Sequence, residues 1–244
     1  MDIHRPKPFH GLREFLKEYG IIVLGVLTAL ALEQAVEAVR MSRDADSIER
    51  NFRTDLQYDL VAAAERAALA PCLQQRIAAL RDKLAADAEI WAADPQTYAD
   101  ASKGGPDPLM PEAFHTPLRI WADSSWQAAL GSPALNHLPQ EARADFAAAF
   151  YNVEQLRRGQ DAQLATESDL TALALRLRMT PELRAHYLDR LGELSREEDD
   201  METVASQFTN RAKEMGVRAD PANVRSLVAR QRSFRGRCVR DVTP

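Results

Sequence analysis

"EYGIIVLGVLTALALEQ", residues 18–34, contains fourteen consecutive residues without a charged side chain, Tyr19 to Leu32. At 1.5 Å per residue such a helix is about 21 Å long, short of the roughly 30 Å hydrocarbon core of a bilayer. Its flanks lengthen it. Phe15 and Leu16 precede the run, Ala35 and Val36 follow it, and Lys17 has a stem long enough to carry its ammonium back to the headgroups. Residues 15–36 therefore read as a transmembrane helix. Two alternatives stand beside this. Arg5, Lys7, Arg13 and Lys17 form a basic leader, and Ala29-Leu30-Ala31 matches the small-x-small pattern of a signal-peptide cleavage site. Against cleavage, no glycine or proline interrupts the helix after Val26, and the helical pattern continues through Leu32, Val36 and Val39. The third reading is a core or interfacial helix. For a retained span, the four basic residues before it outweigh Arg40 and Arg43 after it, which puts the N-terminus in the cytoplasm and the main domain in the periplasm of a two-membrane bacterium.

The wider stretch "LREFLKEYGIIVLGVLTALALEQAVE", residues 12–37, has an amphipathic start, Gly20 and Gly25 inside the apolar run, and Glu33 and Gln34 at its exit. It resembles the N-terminus of an uncharacterised family of single-span bacterial inner-membrane proteins. The segment "SSWQAALGSPALNHLP", residues 124–139, is similar in kind. The resemblance implies a topology, one span followed by a helical extracytoplasmic domain, and no activity.

Beyond the span the composition points to an all-α fold. Of 244 residues, 45% are hydrophobic and 7% aromatic, with ten glycines and abundant alanine, leucine, arginine and glutamate. Residues 1–14 form a short cytoplasmic N-terminus. After the span, apolar residues recur every three or four positions at Leu56, Leu60, Ala63, Ala67, Ala70, Leu73, Ile77, Leu80, Leu84, Ala88 and Trp91. This predicts one long stalk helix over 37–92, kinked at Pro71, with a hairpin at Pro71 as the alternative. Residues 93–117, "ADPQTYADASKGGPDPLMPEAFHTP", read as a proline-rich loop. Residues 118–244 complete the domain. A short helix is expected from Leu118 to Leu130, a long one from Pro139 to the Thr180-Pro181 break, and another from Pro181 to Gly216. A last helix over 221–232 leads to a basic tail. Together with the stalk these predict an antiparallel three- or four-helix bundle.

The helix from Pro181 carries a heptad of Tyr187, Leu191, Leu194, Glu198, Met201, Ala205, Phe208, Ala212 and Met215. Glu198 breaks it, and a buried carboxylate must be paired or protonated. Arg157 and Gln160, near the seam of the preceding helix, are its expected partners; a wet end of the bundle is the alternative. The surrounding run Glu197, Glu198, Asp199, Asp200, Glu202 lacks the spacing of a calcium loop, since consecutive helical residues diverge. Cys72 and Cys238 are the only cysteines. In an oxidising compartment their even count predicts a disulfide. Trp121 and Trp126, and Arg232, Arg235 and Arg237 of the tail, are candidate interaction residues, with core packing and pairing to the acidic run as the alternatives.

No catalytic, cofactor or metal motif is present in the sequence. The single Glu-x-x-His, Glu112 to His115, falls short of the two that a di-iron bundle requires. A net charge of -5, and a basic tail placed outside the cytoplasm, argue against nucleic acid. The expectation is a non-enzymatic protein that acts by protein-protein interaction, as an accessory, scaffold or assembly subunit. Its partners would be the lipid bilayer and another membrane or periplasmic protein, with a homo-oligomer left open. A periplasmic ligand-sensing module that signals through a partner is the alternative.

Overall fold

The computed structural model describes residues 11–86, 88–92 and 116–242. Residues 1–10, and all of the expected proline-rich loop except Thr116 and Pro117, lie outside the described residues. The chain is mostly helical, as its composition predicts. In order, α1 is Leu12–Ala85, β1 is Ile90–Trp91, α2 is Ser124–Ala129, α3 is Gln140–Asp169, β2 is Leu177–Arg178, α4 is Pro181–Glu214 and α5 is Pro221–Arg235. The two short strands pair antiparallel, Ile90 opposite Arg178 and Trp91 opposite Leu177.

Helix α1 joins the apolar N-terminal run and the expected stalk into one element of 74 residues, about 110 Å long. It passes through Pro71 without a hairpin. Proline has no N–H, so the Ala67 carbonyl one turn before it loses its helical donor, and the ring crowds the backbone there. The C-terminal tail docks there, and Arg240 donates its backbone N–H to the Ala68 carbonyl at 3.0 Å. The helix ends at Ala85, not at 92. Arg184 of α4 donates to the Leu84 carbonyl and, at 2.8 Å, to the Ala88 carbonyl. Trp91 is buried from β1 and donates its indole N–H to the Leu173 carbonyl at 2.8 Å. Among the described residues α1 is the one helix long and apolar enough to cross a membrane, and its most apolar window has a mean hydropathy of 1.8.

From Ala45 onward α1 packs. Leu56, Leu60, Ala63, Leu73, Ile77, Leu80 and Leu84 are all buried, as their spacing predicts. Helix α4 runs antiparallel to both α1 and α3. Arg53 donates to the Met215 carbonyl at one end and Gln74 to the Ser195 carbonyl further along, while Arg211 pairs with Asp145 of α3. Its ends match their sequence signals. The Thr180 hydroxyl accepts the Leu183 N–H, and Gly216, at φ 72°, allows Val217 to donate back to the Ala212 carbonyl. Gly159 lets α3 approach α4 closely, because a Cβ at that position would overlap the buried Met201 thioether.

Two further helices are shorter than predicted. Residues 118–123 are not helical, and α2 begins only at Ser124. Side chains from distant helices hold this segment. Gln160 accepts the Arg119 N–H and donates to the Arg119 carbonyl, at 2.8 and 3.0 Å, and Asp59 accepts the Ala122 N–H at 2.8 Å. Asp55 then accepts from both the backbone and the hydroxyl of Ser125, serving as the cap of α2 from another helix. Helix α3 stops at Asp169 and gives way to a 3-10 turn, Thr171–Ala174, and β2. These elements close a second apolar cluster around Leu170, Leu173, Leu191 and Trp91, separate from the larger one around Phe52, Phe146 and Phe150.

Candidate functional site

Along α3 and α4 the two apolar clusters are separated by polar side chains. On α3 the larger cluster ends at Leu156 and the smaller begins at Leu170; on α4 the corresponding residues are Met201 and Leu194. Between them lie Gln160, Gln163, Thr166, Glu167 and Glu198, all buried, and α1 contributes Glu65 and Arg66. Arg66 is 1% exposed and Glu198 2%. Glu198 therefore sits in the interior, not at a wet end.

The pairing differs from the expected one. The Glu198 carboxylate accepts from Gln163 Nε2 at 2.7 Å, and Gln163 Oε1 accepts from Arg66 Nη2. Gln160, one turn earlier, is committed to the backbone of Arg119, and Arg157 pairs with Asp123 and Glu154. Neither of the two expected partners reaches Glu198. The register between α3 and α4 makes Gln163 its neighbour.

Around Arg66 the layer is close to electroneutral. The guanidinium interacts with Glu198, Glu167 and Glu65, and burial pulls its pKa down against all three. Glu65 is gripped by Arg119 through both oxygens, at 2.5 and 2.6 Å, and also accepts from Gln231 Nε2 at 2.8 Å. Glu167 accepts from the Thr116 hydroxyl, yet burial still raises its pKa to about 7. Glu198 is raised by burial as well, against the opposing pull of Arg66 and Gln163. Arg235, at the end of α5, acts on both of these carboxyls and draws their pKa values down. Arg66 Nε and Nη1 have no hydrogen-bond partner among the described residues. Such a layer balances buried charge, and burial favours the protonated form of Glu167 and Glu198.

A second buried acid, Asp59, faces Asp55 and Asp123, and burial followed by those charges lifts its pKa to about 8. Among the described residues only its Oδ1 is bonded, to the Ala122 N–H. The folded state thus binds a proton that the unfolded state releases above the ordinary aspartate value of 3.8. Stability from this group is lost as pH rises from that value toward 8, at up to about 1.4 kcal/mol per pH unit. Asp59→Asn preserves the acceptor for Ala122 and removes the titration. Thermal melts from pH 5 to 8 are expected to show the variant gaining on the native chain as pH rises; parallel curves contradict the assignment.

The other sequence candidates are placed as follows. Cys72 and Cys238 form a disulfide that ties the tail to α1 beside Pro71. Trp121 is buried, and Trp126 packs between Phe52 and Phe150, with centroids 5.4 Å from each. Trp121 thus belongs to the core, and Trp126, partly buried, packs against it. Arg232 donates to the Val239 carbonyl and to Asp241, Arg235 donates to Gln231, and Arg237 is exposed. Pairing of the tail with the acidic run occurs through Arg240 and Glu202. Among the described residues no group of three or more His, Cys, Asp or Glu is placed to hold a metal ion. Glu112 and His115 lie outside those residues.

Asp59, Glu65, Arg66, Arg119, Gln163 and Glu167 were not singled out by the sequence reading. A signal existed in "VAAAERAALAP", residues 61–71, where Glu65 and Arg66 are the only charges in an alanine-rich run on the buried face. Comparison of the chain with protein-family models, with curated proteins and with solved structures finds no match in any of the three.

Proposed function

We propose that this chain is a single-span inner-membrane protein whose antiparallel helical bundle stands in the periplasm and acts by protein-protein contact, as an accessory, scaffold or assembly subunit. The observation that carries the reading is the N-terminal part of α1. From Leu12 to Arg40 it touches no other element closely enough to be buried, and Phe15, Leu16, Ile21, Ile22, Leu24 and Leu27 are each more than half exposed. A surface this apolar and contiguous is unfavourable in water and matches a lipid interior. The disulfide fits an oxidising compartment.

For contact with a partner, the extended segment before α2 offers a surface. It buries Trp121 and points Leu118 and Ile120 outward, at 65% and 78% exposure. Purification in a mild detergent is expected to yield an assembly heavier than one chain, and Leu118→Asp with Ile120→Asp is expected to dissociate it. A monomer in every mild detergent overturns the interaction reading.

A further inference from the structure

A groove of about 590 Å³ lies between α1 and α4, next to the last described residues of the tail. That size falls within the range of small-molecule sites. Its walls are small side chains, Ala64 and Ala67 on α1 and Ala205 and Ser206 on α4, with Leu60 and Val217 contributing apolar surface. Along α4 it extends from Glu202 to Lys213, about 16 Å of helix. Thr209 and Asn210 add polar groups to the same lining, so the apolar surface is broken rather than continuous.

Its charges are unevenly distributed. Glu202 is neutralised by Arg240 at one end. At the other end Lys213 and Arg218 both line the groove, and neither side chain has a hydrogen-bond or ion-pair partner among the described residues. The groove therefore carries net positive charge on a chain whose net charge is -5. Helix α5 begins nearby, but the Asp220 carboxylate caps it by accepting the Ala222 N–H at 2.8 Å. Two separate side-chain cations without a backbone N–H cradle suit a singly charged head better than a phosphate dianion.

We propose that the groove binds a single-chain fatty carboxylate, with the alkyl chain against the alanine walls and the carboxylate between Lys213 and Arg218. The site is distinct from the Leu118–Ile120 surface, so failure of either proposal leaves the other standing. The test uses the full chain in phosphatidylcholine nanodiscs, with empty nanodiscs as the baseline and laurate as the probe in equilibrium dialysis. Saturable single-site binding above baseline is expected. Lys213→Glu with Arg218→Glu, and separately Ser206→Trp, are each expected to weaken it about tenfold or more. Lys213, Arg218 and Ser206 are exposed, so a melting temperature close to the native one will show that these variants fold. Dodecanol, which has the chain without the charge, is expected to bind more weakly than laurate. Binding no greater than that of empty nanodiscs overturns the proposal, as does binding unchanged in the charge-reversed variant. A lysophospholipid or dodecanol that binds more tightly than laurate overturns the carboxylate assignment.

Discussion

Arg66→Met is expected to destabilise the fold by about 3–5 kcal/mol, the usual cost of removing one partner from a buried charge group. Methionine fills much of the same volume, so the loss is electrostatic rather than a cavity. The guanidinium is enclosed by Glu65, Glu167 and Glu198 and bonds Gln163, which in turn holds Glu198. Without it, Glu167 and Glu198 keep only Arg235 as a shared cation and must take up protons more strongly. A loss of this size is a large share of the roughly 5–15 kcal/mol that holds a domain together. Combining it with Glu198→Leu is expected to cost less than the sum of the two single changes, because the second removes a carboxylate that the first has stranded. Urea unfolding followed by circular dichroism measures all three variants. An unchanged midpoint for Arg66→Met would show that the layer carries no net interaction.

Removing the disulfide is the other large effect. Cys72 and Cys238 are 166 residues apart, and the chain-entropy model assigns such a loop about 5 kcal/mol. The bridge also anchors local packing. Val239 is buried beside it in the larger apolar cluster, and the following N–H, that of Arg240, meets the Ala68 carbonyl ahead of Pro71. Cys72→Ser with Cys238→Ser is expected to lower the melting temperature as much as a reductant lowers that of the native chain. It is also expected to release the tail to proteolysis. Thiol labelling of denatured, unreduced protein is expected to find no reactive cysteine; two labelled thiols sink the prediction.

The parts of the fold that were legible share one property: their signals are local. The α4 heptad, its Thr180 cap and its Gly216 stop lie within forty residues and obey one period. Tyr187 through Ala212 are buried as that period requires, Glu198 included. The stripe on α1 was equally readable as far as Leu84. Residues 118–123 were not, because local preference favours helix there while Asp59 and Gln160, from helices far away in sequence, bind the backbone in another conformation. Trp91 kept the stripe's spacing by coincidence and is buried from a strand instead. The end of α3 at Asp169 was hidden for a related reason, since β2 exists only to pair with β1.

Of the site, Glu198 was visible as a breach of its heptad. Its partner was not, because the offset between α3 and α4 is set by packing at Gly159 and Met201, and an error of one turn exchanges Gln163 for Gln160. Arg66 was harder still. An adjacent Glu-Arg pair resembles a solvated face, and only the three-dimensional meeting of α1, α3 and α4 encloses it. The cysteines needed only their even number and the compartment implied by the first helix.

That compartment is the claim on which most of the functional account depends. It is tested most directly by fusing reporters after Pro244 in living bacteria. An N-in span predicts alkaline phosphatase activity without β-galactosidase activity, since the helical body would lie outside the cytoplasm. β-galactosidase activity without alkaline phosphatase activity would contradict it.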